Sequence, residues 1–145
     1  MSVHSADNTP AGLNIYRAAL EDPAISSITL LTRREMPQWA VLPANASEKT
    51  TTIIHKDFTS YPPDIVARLV QHDACIWAMG KSSLGLSEEE YTKITYAAPM
   101  AFVSALRDAG IGTGREVNPF RFVYLSGAHA DPTEKSRQMW ARVKV

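Results

Sequence analysis

Phe120-Arg121-Phe122-Val123-Tyr124-Leu125-Ser126-Gly127-Ala128 reads as an aromatic and β-branched strand that stops at a run of small residues. Upstream, Ala74-Cys75-Ile76-Trp77-Ala78-Met79 is apolar without alternation, which marks a strand buried on both faces of a parallel sheet. It ends at Gly80. Between the two strands, Ser87-Glu88-Glu89-Glu90 forms a capping box, with Ser87 at the N-cap and Glu90 three residues on. Tyr91, Ile94, Ala98 and Phe102 then follow along one side of a helix. Pro99 inside that helix predicts a kink, and Gly110 and Gly112 end it. Strand, helix and strand in this order predict an α/β protein whose parallel sheet is covered by helices.

The rest of the chain extends the pattern. Leu13, Tyr16 and Leu20 mark one face of a helix that follows Gly12, and residues 25–32 form a strand closed by Arg33 and Arg34. Residues 35–49, with Pro37, Pro43 and Asn45, read as a loop before a short strand at 51–55. A helix over 63–71 presents Ile65, Val66, Leu69 and Val70 to the sheet, and Pro63 suits its first turn. Asp131 and Pro132 read as N-cap and first residue of a last helix carrying Trp140 and Lys144. Their spacing of four puts both on one helical face. With no internal repeat or linker, residues 1–145 form a single domain.

Composition excludes several functions. Fifteen basic residues balance fifteen acidic ones, so no net field draws nucleic acid or anionic lipid. The amino terminus has no signal-peptide pattern, and no stretch approaches membrane-spanning length. Cys75, the single cysteine, can form no internal disulfide and reads as a buried inert thiol. These features predict a cytoplasmic protein. The four histidines show no metal spacing, and Lys81-Ser82-Ser83 lacks the glycine-rich lead-in of a phosphate loop.

From Gly12 to Lys144 the chain resembles the cofactor domain of atypical short-chain dehydrogenase/reductases of the epimerase-like, NAD(P)-binding group. Four pieces carry the resemblance together: Leu30-Leu31-Thr32-Arg33-Arg34, Lys56-Asp57-Phe58, Asp73-Ala74-Cys75-Ile76-Trp77-Ala78-Met79-Gly80, and Phe122-Val123-Tyr124-Leu125-Ser126-Gly127-Ala128. It implies a Rossmann-like, doubly wound parallel sheet. It also implies that Arg33 and Arg34 hold the 2′-phosphate of NADP, that Asp57 lies near adenine, and that Ala78, Met79 and Gly80 touch the ribose. In this family a strand-end serine faces a Tyr-x-x-x-Lys pair. Here Ser126 would face Trp140-Ala141-Arg142-Val143-Lys144, and an indole N–H cannot do the proton chemistry of a phenol.

The departures from the family pattern carry their own expectations. Aligned back from Gly12, the first two glycines of the phosphate-binding turn become Ala6 and Thr9, and Pro10 removes an N–H. Pyrophosphate binding is therefore expected to be weak or lost. Ser2-Val3-His4-Ser5 supplies one aliphatic side chain where a central strand is nearly all apolar. The first strand is expected to be missing, leaving a slot about 9–10 Å wide between the second and fourth strands. Residues 2–7 as a poor strand, direct pairing of those neighbours, or a strand from another chain could close it. The domain is thus expected to be truncated at both ends and to associate, as a homo-oligomer or with a partner chain, through exposed sheet edges.

Each of these residues also has a plainer use. Trp140 suits core packing, Lys144 a solvated terminus, Ser126 a strand-end backbone bond, and Arg33 and Arg34 a charged surface. Three functions stay open: an NADP-binding oxidoreductase relative with impaired catalysis, a non-redox isomerase or cyclase of small molecules using Ser126 and Lys144, and a non-enzymatic module completed by a partner chain.

Overall fold

The computed structural model describes residues 2–4, 10–127 and 130–143, the first three by their backbone alone. The protein is α/β. Among the described residues, strands β1 (Ser2–His4), β2 (Ile28–Thr32), β3 (Thr50–Ile54), β4 (Ala74–Trp77) and β5 (Arg121–Tyr124) form one parallel sheet in the order β3-β2-β1-β4-β5. The helices are α1 (Pro10–Glu21), α2 (Ala46–Lys49), α3 (Pro63–Leu69), α4 (Glu88–Thr92), α5 (Ala98–Asp108) and α6 (Met139–Arg142). None is long and apolar enough to cross a membrane.

The expected slot at the centre of the sheet is filled. Val3 pairs with Leu30 of β2 on one side and with Ile76 of β4 on the other. Of the three ways to close the gap, the chain uses its own residues 2–4. The low apolar content misled because a strand paired along both edges is held by its backbone, and three residues in register are enough for that.

Each face of the sheet has its own core. Alternation along β2 sends Ile28 and Leu30 to a cluster with Leu13, Tyr16 and Leu20 of α1, and Leu31 to the opposite cluster. There Val66 and Leu69 of α3 and Phe102 and Leu106 of α5 pack on Cys75 and Trp77. Aromatic rings bind this second core together, with Trp77 and Phe102 centroids 5.4 Å apart and Phe58 edge-on to Trp77 at 6.0 Å. Burial pushes the Cys75 thiol well up, as expected of an inert core residue.

Three local expectations change. The 35–49 segment ends in the short helix α2. At Pro99 the chain uses a π-helical segment, Lys93–Ala97, in which the Ala98 N–H reaches back to the Lys93 carbonyl, and α5 restarts with the proline in its first turn. No long helix opens at Asp131, because its carboxylate accepts from the Thr133 N–H, the Thr133 hydroxyl and the Ser136 N–H, closing a turn instead. Helix α6 begins only at Met139. The Ser87 capping box is present as read, with both reciprocal bonds made.

His72 links the sheet to the segment after α3. Its Nε2 lies 2.8 Å from the buried Thr29 hydroxyl, and burial pushes its pKa from 6.5 to about 4, against a smaller upward pull from Asp73. Above pH 6.5 the ring is neutral folded and unfolded; as pH falls from 6.5 toward 4 the unfolded chain takes up the proton first, so stability drops through that window. His72→Gln, which keeps a partner for Thr29, should flatten this loss when urea midpoints are compared at about pH 7 and about pH 5. An unchanged slope would show that His72 does not carry it.

Candidate functional site

The C-terminal ends of the strands bring together most of the residues singled out in the sequence. In open parallel sheets this is the edge where ligands bind, because the strand ends and the loops after them leave a crevice. A cavity of about 260 Å³ is lined by Arg33 after β2, Lys56, Asp57 and Phe58 after β3, Met79 after β4, and Lys93, Ile94 and Ala98 from the helical run above. A second, of about 200 Å³, is lined by Ala78, Met79, Gly80 and Lys81 after β4, by Tyr124 and Ser126 at the end of β5, by Thr95, and by Ala11 in the first turn of α1. Met79 lines both.

The first cavity pairs charge with an apolar floor. Asp57 Oδ1 accepts from the Thr59 hydroxyl at 2.6 Å and the Thr59 N–H at 3.0 Å. Those two bonds, helped by the charges of Lys93 and His55, hold its carboxyl below the usual range. Arg33, Lys56 and Lys93 share the lining with this carboxylate, beside Phe58, Met79, Ile94 and Ala98.

In the second cavity the hydroxyl bearers are Thr95, Tyr124 at the end of β5, and Ser126 two residues beyond it. Tyr124 Oη donates to the Thr95 carbonyl at 3.1 Å. In an unbroken α-helix that carbonyl would take the N–H four residues on, but residue 99 is proline and has none. Burial, with a smaller contribution from Tyr91, pushes the Tyr124 hydroxyl up, so at neutral pH it donates hydrogen bonds and does not ionise. A Cβ built on Gly80 would meet nothing within 4 Å; the space beside this strand end is open to a ligand.

Arg33, Asp57, Ala78, Met79, Gly80 and Ser126 thus meet around adjoining cavities. Arg34 is exposed and lines neither. Gly12 is buried within α1. Trp140, on α6, lines neither cavity. Lys144, the other half of the expected pair, lies outside the described residues. Helix α6 is tied elsewhere, by an ion pair from Arg142 to Glu88 in the first turn of α4. Sequence reading missed Lys56, Lys81, Lys93 and Tyr124. The two strand-end residues could have been found from adjacency to Asp57 and Gly80; Lys93 could not, because its place depends on the π segment.

The chain is similar to leucinostatins biosynthesis cluster protein T of Purpureocillium lilacinum. The two are 30% identical over 118 residues, which cover 77% of this chain and 38% of that protein. The chain therefore spans well under half the length of this relative. No known family profile matches the sequence.

Thr95 is buried, so removing the hydroxyl that serves its carbonyl should cost about 1–3 kcal/mol. Tyr124→Phe is expected to lower stability by that amount in urea unfolding, and Pro99→Ala in the same chain to recover part of it by restoring a backbone N–H. If Tyr124→Phe is neutral, the Thr95 carbonyl has another partner.

Proposed function

We propose that this chain is a Rossmann-type, NADP-binding domain of short-chain dehydrogenase ancestry, oxidoreductase-related, with impaired cofactor binding and catalysis. The observation that carries the proposal is the convergence of Arg33, Asp57, Met79, Gly80 and Ser126, from the ends of β2, β3, β4 and β5, on two adjoining cavities. The strand order β3-β2-β1-β4-β5 agrees with the first five strands of the doubly wound dinucleotide-binding arrangement. On this reading the adenine end of the cofactor occupies the Arg33–Asp57 cavity. The ribose and nicotinamide end runs past Gly80 toward Ser126 and Tyr124.

Impairment follows from the sequence that leads into α1. Aligned back from Gly12, Ala6 and Thr9 replace two glycines of the family's pyrophosphate-binding pattern, and Pro10 lacks an N–H. Trp140 brings no phenol to the Ser126 cavity, and the Tyr124 hydroxyl is already engaged with Thr95. The similarity to a protein named for a biosynthesis cluster supports a small-molecule ligand.

A partner chain at the free edge of the sheet is a second reading, favoured by β5. Val123 of β5 and Leu125 just after it are 53% and 48% exposed, and an apolar edge strand invites pairing.

NADPH should shift the amide resonances of Arg33, Asp57, Gly80 and Ser126 with a dissociation constant on the order of 0.1–1 mM, and Arg33→Ala should weaken it further. No shift at millimolar NADPH would overturn cofactor binding. Saturation in the low micromolar range would instead overturn the impairment.

A further inference from the structure

Lys93 and Ala98 line the same cavity although they are five residues apart. On an α-helix such residues lie about 140° apart around the axis and cannot share a wall. Here the chain between them is π-helical, and the Ala98 N–H bonds the Lys93 carbonyl, so the two stack on one side. Pro99 gives the widening its cause, since its ring and missing N–H disfavour a regular turn at this point. The result is a lysine that shares one cavity with Arg33 after β2 and with the residues after β3.

Among the described residues that line this cavity, Arg33, Lys56 and Lys93 are the cations and Asp57 is the carboxylate, its Oδ1 taken by Thr59. Neither Lys56 nor Lys93 has a hydrogen-bond or ion-pair partner among the described residues. Beside these cations, Phe58, Met79, Ile94 and Ala98 supply the apolar part of the lining, the combination of apolar wall and a few polar groups that ligand sites use. Arg34, the second expected phosphate ligand, lies outside the cavity.

We propose that Lys93, presented by the π segment and assisted by Lys56, is the specificity-determining arm that selects a ribose phosphate monoester beside the purine of the bound cofactor. This rests on the nucleotide-binding reading and deepens it. Arg33 supplies the planar donor from the β2 side, while Lys93 closes on the phosphate from the helical side as a mobile point charge. Arg34 contributes little.

The test compares NADPH with NADH, which differ only in that phosphate, and adds inorganic phosphate as a third probe, each titrated to millimolar concentration against the full chain and followed by amide resonances. Wild type should prefer NADPH, and Lys93→Gln should reduce that preference about tenfold while leaving NADH affinity unchanged. Lys56→Gln should act in the same direction, and Arg34→Gln should leave both affinities alone. Equal wild-type affinities, or a Lys93→Gln loss shared by both cofactors, would overturn the role of Lys93 and leave nucleotide binding standing. Shifts at Lys56 and Lys93 with inorganic phosphate but with neither cofactor would overturn the nucleotide reading and keep the phosphate arm. No response to any of the three would overturn both.

Discussion

Backbone pairing of three residues, Ser2–His4, to a strand on either side holds the two halves of the sheet together. On one side lie β2 and β3, on the other β4 and β5. Without β1 the facing N–H and C=O groups of β2 and β4 would be left buried and unpaired, at about 1–3 kcal/mol each. The candidate site depends on the same link. Arg33 and Asp57 belong to the β2–β3 half, and Met79 and Lys93 to the other half and its helices, yet all line one cavity.

Pro99 is the second constraint. Its missing N–H coincides with a π segment whose residues line both cavities, Lys93 and Ile94 the first and Thr95 the second. Tyr124 then donates to the Thr95 carbonyl from β5. One proline thus bears on which lysine lines the first cavity and how the hydroxyl beside Ser126 is engaged. Irregular helical turns of this kind recur at functional sites because a regular turn would place the same side chains elsewhere.

Most of the architecture was legible in the sequence. The continuously apolar 74–79 run, the β-branched run before Arg33 and the capping box at Ser87 each act through local preference and periodicity, and they appear as β4, β2 and α4. Strand β1 was illegible because its stability comes from pairing with chain far away in sequence, which side-chain hydropathy does not record. The helix read from Asp131 failed because a single carboxylate can close a turn as readily as it caps a helix, and local spacing does not separate the two. At the site, Arg33, Asp57, Ala78, Met79, Gly80 and Ser126, read from their places after strands, line the two cavities. Lys93 was not legible, since its phase around the helix changes with one inserted residue of π turn, and neither was the separation of Arg34 from Arg33, which turns on how the chain leaves β2.

Residue-by-residue amide hydrogen exchange tests the link through β1 most directly. If Ser2–His4 ties the halves together, the amides of Val3 and His4 should be protected and should exchange with those of Leu30, Leu31, Ile76 and Trp77 as one cooperative unit. Free exchange at Val3 and His4 while β2 and β4 stay protected would contradict it, and would mean that the sheet is closed by something other than β1.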